Sequence, residues 1–136
     1  MNALSDIGAF HHIGIATEQV DLAQQLYKSM GYALYWSGED PLQEALIVLL
    51  KKKDHPLIEL IQPLSNDSPV SALLKRQGAG AFHTCYEVND IDHMSTVLRK
   101  NKMIATTEKM PAVAFGGKNI RFFYSDTIGL LELVEK

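Results

Sequence analysis

The chain has 136 residues, enough for one compact core or for two small modules that share one. Apolar residues make up 46% of it and charged residues 21%, the balance of an ordinary soluble globular protein. A net charge of −3 and a pI near 5.9 leave no electrostatic footprint for nucleic acid, and the apolar run from Ala45 to Leu50 is far too short to span a bilayer.

The N-terminal stretch Met1-Asn2-Ala3-Leu4-Ser5-Asp6 lacks a basic region followed by an apolar core, so a cytoplasmic protein without a secretory signal is expected. Residues 10–16 then read as a strand. Residues 19–30 read as a helix, because Val20, Leu22, Ala23, Leu26, Tyr27 and Met30 recur at helical spacing. Thr17 or Glu18 lies just before it and Gly31 supplies a stop. Strands are expected over 32–38 and 45–50, separated by the turn signal Gly38-Glu39-Asp40-Pro41. A turn over 51–56 holds Lys51-Lys52-Lys53, read as a solvated basic turn that could also help hold an anionic ligand such as a phosphate. A strand over 57–62 completes the order β-α-β-β-β.

Residues 63–80 form a connector in which Asn66-Asp67-Ser68-Pro69 starts a short helix and Gly78-Ala79-Gly80 ends it. The same order then recurs: strand 81–88, helix 91–100, a short strand near 102–106, strand 118–124 and strand 130–135. Thr107 to Gly117 reads as a loop of the length that often covers a ligand site. Cys85 is the lone cysteine, which excludes an intramolecular disulfide and a thiolate metal cage; within Thr84-Cys85-Tyr86 it reads as a buried strand thiol.

The two halves also share words. Ala9-Phe10-His11-His12-Ile13 opens the first and Ala81-Phe82-His83-Thr84-Cys85 the second; Leu57-Ile58-Glu59-Leu60-Ile61 closes the first and Leu130-Leu131-Glu132-Leu133-Val134 the second. A carboxylate inside such an apolar strand is costly to bury unless it is paired, hydrogen-bonded or bound to metal. Laying His12 on His83, an offset of 71, places Val20 on Ile91 and Asp21 on Asp92 at the helix starts. Pairing His11 with His83 breaks that register by one, so His12 is the expected inward histidine. Glu59 follows His12 by 47 residues and Glu132 follows His83 by 49.

Taken singly, a strand histidine is more often a hydrogen-bonded core residue, and a glutamate near a C-terminus is usually solvent-exposed. The repetition favours convergence of His12, Glu59, His83 and Glu132 on one divalent metal ion. Two imidazoles and two carboxylates suit Zn, Co, Ni, Mn or Fe and disfavour Cu(I) and iron–sulfur chemistry. Four such ligands leave a coordination position open, as in catalytic sites.

In these segments the chain resembles the vicinal oxygen chelate (glyoxalase/bleomycin resistance/dioxygenase) superfamily, and most nearly its methylmalonyl-CoA epimerase-like branch. The resemblance is carried by His12-Ile13-Gly14-Ile15-Ala16, by Ile58 to Leu64, by Ser68-Pro69-Val70, by His83 to Asp92, by Gly116 to Phe123 and by Gly129 to Glu135. It implies an α+β fold in which two βαβββ modules form an open, cup-shaped mixed sheet around the metal. It also implies one domain over 1–136, with module one at about 8–62, the connector at about 63–80 and module two at about 81–136. The family's ligands map onto His12, Glu59, His83 and Glu132, of which the last can double as a base. A homodimer and an acyl-CoA substrate are further implications, with no nucleic acid or membrane partner.

Glu59 sets the chain apart from the extradiol dioxygenase and fosfomycin-resistance branches, which resemble sites of two histidines and one carboxylate. One departure concerns the second base that two-sided epimerisation needs. The epimerase branch places a Glu on the third strand of its first module, where this chain has Ile47; Glu44 is the nearest carboxylate. The expected function is therefore metal-dependent, isomerase- or epimerase-like proton movement next to a carbonyl, with Glu132 as base and Glu59 as its alternate. A glyoxalase I-like lyase and a non-catalytic small-ligand-binding module are the alternatives.

Overall fold

The computed structural model describes residues 3–136, so the part of the N-terminal reading that falls on Met1 and Asn2 lies outside the described residues. The chain packs as two compact units, His12–Phe82 and His83–Lys136, the latter together with the segment up to His11. Among the described residues no helix is long and apolar enough to cross a membrane.

The first unit is built from β1 (Phe10–Ala16), α1 (Val20–Ser29), β2 (Ala33–Asp40), β3 (Ala45–Lys51), β4 (Leu57–Pro63) and α2 (Pro69–Gln77). Its strands lie in the order β2-β3-β4-β1, with β1 parallel to β4 and the other pairs antiparallel. Strand side chains alternate between faces, so the register sorts them cleanly. Ile13, Ile15, Val48, Leu50, Ile58 and Leu60 share a face and pack with Val20, Ala23 and Tyr27 of α1. His12, Ile47, Leu49, Glu59 and Ile61 fall on the opposite face. Both faces of β3 are covered, which is why Ala45 to Leu50 reads as a continuous apolar run rather than an alternating one.

Of the six apolar residues at helical spacing in and just after α1, three serve this core. Leu22, Leu26 and Met30, at i, i+4 and i+8, are 50%, 60% and 52% exposed. The turn after β2 also comes later than expected. The strand runs through Gly38 and Glu39 to Asp40, whose buried carboxylate accepts the backbone N–H groups of Leu42 (3.0 Å) and Gln43 (3.3 Å) and the Gln43 side-chain amide (2.9 Å). This Asx-type capping puts the reversal at residues 41–44. Gly38 stays inside the strand because the Trp36 indole lies against it; a Cβ at position 38 would come within 2.8 Å of that ring. In the connector, Ser68 caps α2 by accepting the Val70 N–H, with Pro69 in the first turn as the sequence indicates.

The second unit consists of β5 (Gly80–Val88), α3 (Ile91–Lys100), β6 (Ile104–Ala105), β7 (Met110–Ala112), β8 (Lys118–Ser125) and β9 (Gly129–Glu135). Its order is β5-β9-β8-β6, with β5 parallel to β9. Val88, Phe123, Leu131 and Leu133 pack beneath Ile91, Met94, Val97 and Leu98 of α3. The other face carries His83, Cys85, Ile120, Phe122, Glu132 and Val134. The stretch expected to be a loop holds β7 and a 3-10 turn, Val113–Phe115. Pro111 lacks an N–H but is tolerated because β7 is an edge strand, while Met110 and Ala112 pack against the Cys85–Phe122 core. Two short strands, β6 and β7, thus take the place on β8 that the unbroken β2 takes on β3.

Candidate functional site

Each unit buries one histidine against one glutamate. In the first, His12 is fully buried and Glu59 is 3% exposed, and the imidazole Nε2 lies 3.2 Å from Glu59 Oε1. The parallel register sets Gly14 level with Glu59, so no side chain of β1 stands beside the carboxylate at that level. On the other side Leu49 is level with it. In the second unit His83 is 4% and Glu132 1% exposed, with Nε2 to Oε1 3.0 Å. Here Cys85 and Phe122 are level with Glu132, and the edge of one ring meets the face of the other between His83 and Phe122, at 5.1 Å between centroids.

The fold therefore brings together His12 with Glu59, and His83 with Glu132, on the strands and the face that the repeat indicates. His11 is half-buried and makes a T-shaped ring contact with Phe115, 4.9 Å between ring centroids. Cys85 is fully buried in its strand. In both units the buried carboxylate lies within ion-pair distance of an imidazole, one of the arrangements that lowers the cost of burying it.

Ile47 lies on the Glu59 face of β3, level with Gly38 on one side and Ile61 on the other, and is 1% exposed. Glu44 does not stand in for a carboxylate there. It closes the exposed turn with φ of 50° and its carbonyl accepts the Leu64 N–H. Asp40 is committed to the turn it caps. In the second unit the equivalent strand positions are Ile120 and Phe122, so neither β3 nor β8 brings a second carboxylate to the glutamate on its neighbouring strand.

A second repeated device was not foreseen from the sequence. Three residues beyond each buried glutamate, a side chain reaches the N-terminus of the unit's first helix. Gln62 Oε1 accepts the Val20 N–H at 2.8 Å, and Glu135 Oε2 accepts the Ile91 N–H at 3.0 Å. Neither the Thr17 nor the Glu18 side chain caps α1 directly; Thr17 Oγ1 accepts the Gln19 N–H instead. Gln62 and Glu135 satisfy a helix N–H that would otherwise lack an intrahelical partner, and tie the strand that carries the glutamate to the helix behind it. The signal was present, since 59→132 and 62→135 share one offset. Gln62→Ala is expected to lower stability by about 1 kcal/mol, the usual cost of losing a helix cap, as read from urea unfolding.

A sequence profile of the glyoxalase/bleomycin resistance protein/dioxygenase superfamily matches residues 11–124. The chain is 29% identical to the mitochondrial methylmalonyl-CoA epimerase of Dictyostelium discoideum, over 96% of this chain and 80% of that protein. It is 27% identical to the ethylmalonyl-CoA/methylmalonyl-CoA epimerase of Cereibacter sphaeroides, over 87% of this chain and 89% of that one. In three dimensions it is similar to methylmalonyl-CoA epimerase from Mycobacterium tuberculosis, with a TM-score of 0.86, 27% identity and coverage of 99% and 92% of the two chains. The fold is that of the vicinal oxygen chelate proteins, and the chain belongs to the glyoxalase/bleomycin resistance protein/dioxygenase superfamily.

Proposed function

We propose that this protein is a divalent-metal-dependent enzyme that moves the proton next to the carbonyl of an acyl-CoA thioester or a related 2-substituted acid derivative. The observation that carries this reading is the doubled, fully buried His–Glu pair, one in each unit, on corresponding strands. Two imidazoles and two carboxylates are a donor set that fits Zn, Co, Ni, Mn or Fe. In this reading His12, Glu59, His83 and Glu132 hold one such ion, which supplies Lewis acidity toward a carbonyl oxygen as negative charge develops there. The substrate class is supported by the epimerases to which the chain is similar.

The protein's own part is to take and return the proton. Glu132 is the base, and Glu59 its alternate. Cys85 and Phe122 flank Glu132, so the carboxylate works away from bulk water, and Phe122 fixes the plane of the neighbouring His83 ring. With Ile47 on β3, no second carboxylate on that strand faces the proton from the other side. The reaction is therefore one-sided: proton removal and return at a single face.

The test is solvent deuterium exchange into methylmalonyl-CoA and a panel of 2-substituted acyl-CoAs, with elemental analysis of the purified protein alongside. Stoichiometric metal and α-proton exchange without interconversion of epimers are expected. Bound metal with no exchange in any acyl-CoA would overturn the substrate class; absence of metal at saturating supply would overturn the metal reading.

A further inference from the structure

The second unit has a groove of ≈ 370 Å³ on the face of β8 opposite Phe122 and Glu132, between the C-terminal half of α3 and β6. Arg99, Lys102 and Arg121 line it, beside Ser95 and Thr96, whose hydroxyls donate back to the Ile91 and Asp92 carbonyls, and an apolar wall formed by Met103, Ile104 and Phe123. Three cations meet there in a protein whose net charge is −3. Asp92, at the rim, is taken up by Lys109 at 2.9 Å, and that hydrogen bond holds the Lys109 ammonium above its usual range.

Two departures from the internal repeat fall on this groove. Arg121 is level with Leu133 as Val48 is level with Leu60, so an arginine stands where the first unit seals its helix–sheet seam with a buried valine. Its guanidinium donates to the Thr107 carbonyl (2.8 Å) and the Ser95 hydroxyl (3.3 Å), lies 3.8 Å from the exposed Glu108 carboxylate and keeps 21% of its side chain exposed. That leaves part of its five-donor fork available. The second departure is Lys102. Both helices end in the same motif: Tyr32 N–H donates to Tyr27 and Gly31 N–H to Lys28 in one unit, Met103 N–H to Leu98 and Lys102 N–H to Arg99 in the other. The left-handed position is Gly31 (φ 98°) in the first unit and Lys102 (φ 66°) in the second. A lysine there carries a conformational cost that glycine avoids.

We propose that this groove is a binding site for a phosphate or phosphate-ester anion, held by Arg99, Lys102 and the open side of Arg121, with any apolar part of the ligand against Met103, Ile104 and Phe123. Planar guanidinium forks with a flexible ammonium beside them are the usual protein complement to a phosphate group. The site is independent of the metal and proton-transfer reading, because its side chains leave β8 from the other face.

The experiment is an amide chemical-shift titration of the 136-residue protein, prepared without added metal, with inorganic phosphate, pyrophosphate and adenosine 5′-diphosphate in turn. Saturable shifts over residues 95–105 and 121–123 are expected. Tighter binding of the nucleotide than of inorganic phosphate would assign an ester with an apolar portion; equal binding would assign the free anion. Arg99→Gln should weaken binding about tenfold, the loss of one charge-assisted contact. Lys102→Gly should weaken it similarly while raising Tm by about 2–4 °C, since it relieves the left-handed strain. Opposite signs in binding and stability separate a ligand contact from a structural role. Absence of saturable shifts, shifts confined to the neighbours of His83 and Glu132, or binding undiminished in both variants would each overturn the proposal.

Discussion

Glu132→Gln is expected to cut α-proton exchange by a factor of about 10²–10⁴, the range over which a positioned general base contributes. The substitution keeps the shape of the side chain, so the strand Leu130-Leu131-Glu132-Leu133 can pack as before. What changes is that an amide neither takes the proton nor contributes negative charge to a cation. Metal retained after dialysis should fall together with exchange, measured by elemental analysis and by mass spectrometry of the acyl-CoA in deuterium oxide. Exchange that persists at the original rate would remove Glu132 from the reaction.

Glu59→Gln separates the two carboxylates. In the proposed roles Glu59 holds the ion and Glu132 also moves the proton. Restoring metal by excess supply should therefore recover most of the exchange in the Glu59 variant and little in the Glu132 variant. The reverse order would make Glu59 the base. The surroundings bear on this comparison: Leu49 is level with Glu59, whereas Cys85 and Phe122 bracket Glu132, and Phe122 also packs on His83. Any change of volume near Glu132 will therefore move the histidine too, which is why the isosteric amide is the informative replacement.

The strands that carry these residues were legible because two physical signals coincide in them. β1, β4, β5 and β9 combine apolar runs with a polar residue that recurs at nearly the same spacing in both halves, and each observed boundary lies within one residue of the reading from sequence. Helix register alone separated His12 from His11, and His12 is the histidine that meets Glu59. Features that depend on distant partners stayed hidden. The acceptor for the Val20 N–H is 42 residues away in sequence, and that for the Ile91 N–H is 44. Local capping rules pointed to Thr17 or Glu18 because they see only neighbours. The strand at Met110–Ala112 was missed for a related reason: three residues around a proline carry no period, and only the exposed edge of β8 makes them a strand. In α1, periodicity put Leu22, Leu26 and Met30 at helical spacing with Val20, Ala23 and Tyr27, but helical spacing does not say how wide a stripe the sheet will cover, and those three stay exposed.

A second large effect concerns stability. Glu59→Leu alone is expected to destabilise the metal-free protein by about 3–5 kcal/mol, because it removes one partner of a buried pair. The double replacement His12→Leu with Glu59→Leu should recover most of that loss, and replacing such pairs by apolar groups can end about 1–4 kcal/mol above the starting point. The reason lies in the surroundings: Leu49 is level with Glu59 and Ile47 and Ile61 are close along the same face, so leucines there would meet apolar partners. Urea unfolding of the three metal-free proteins reads the effect directly, and metal retention should be lost in the double variant whatever its stability. A pair that weakens folding relative to leucines yet recurs in both units is retained for chemistry. If the double variant were as unstable as the single, the pair would instead be holding the fold, and its repetition would no longer argue for a metal.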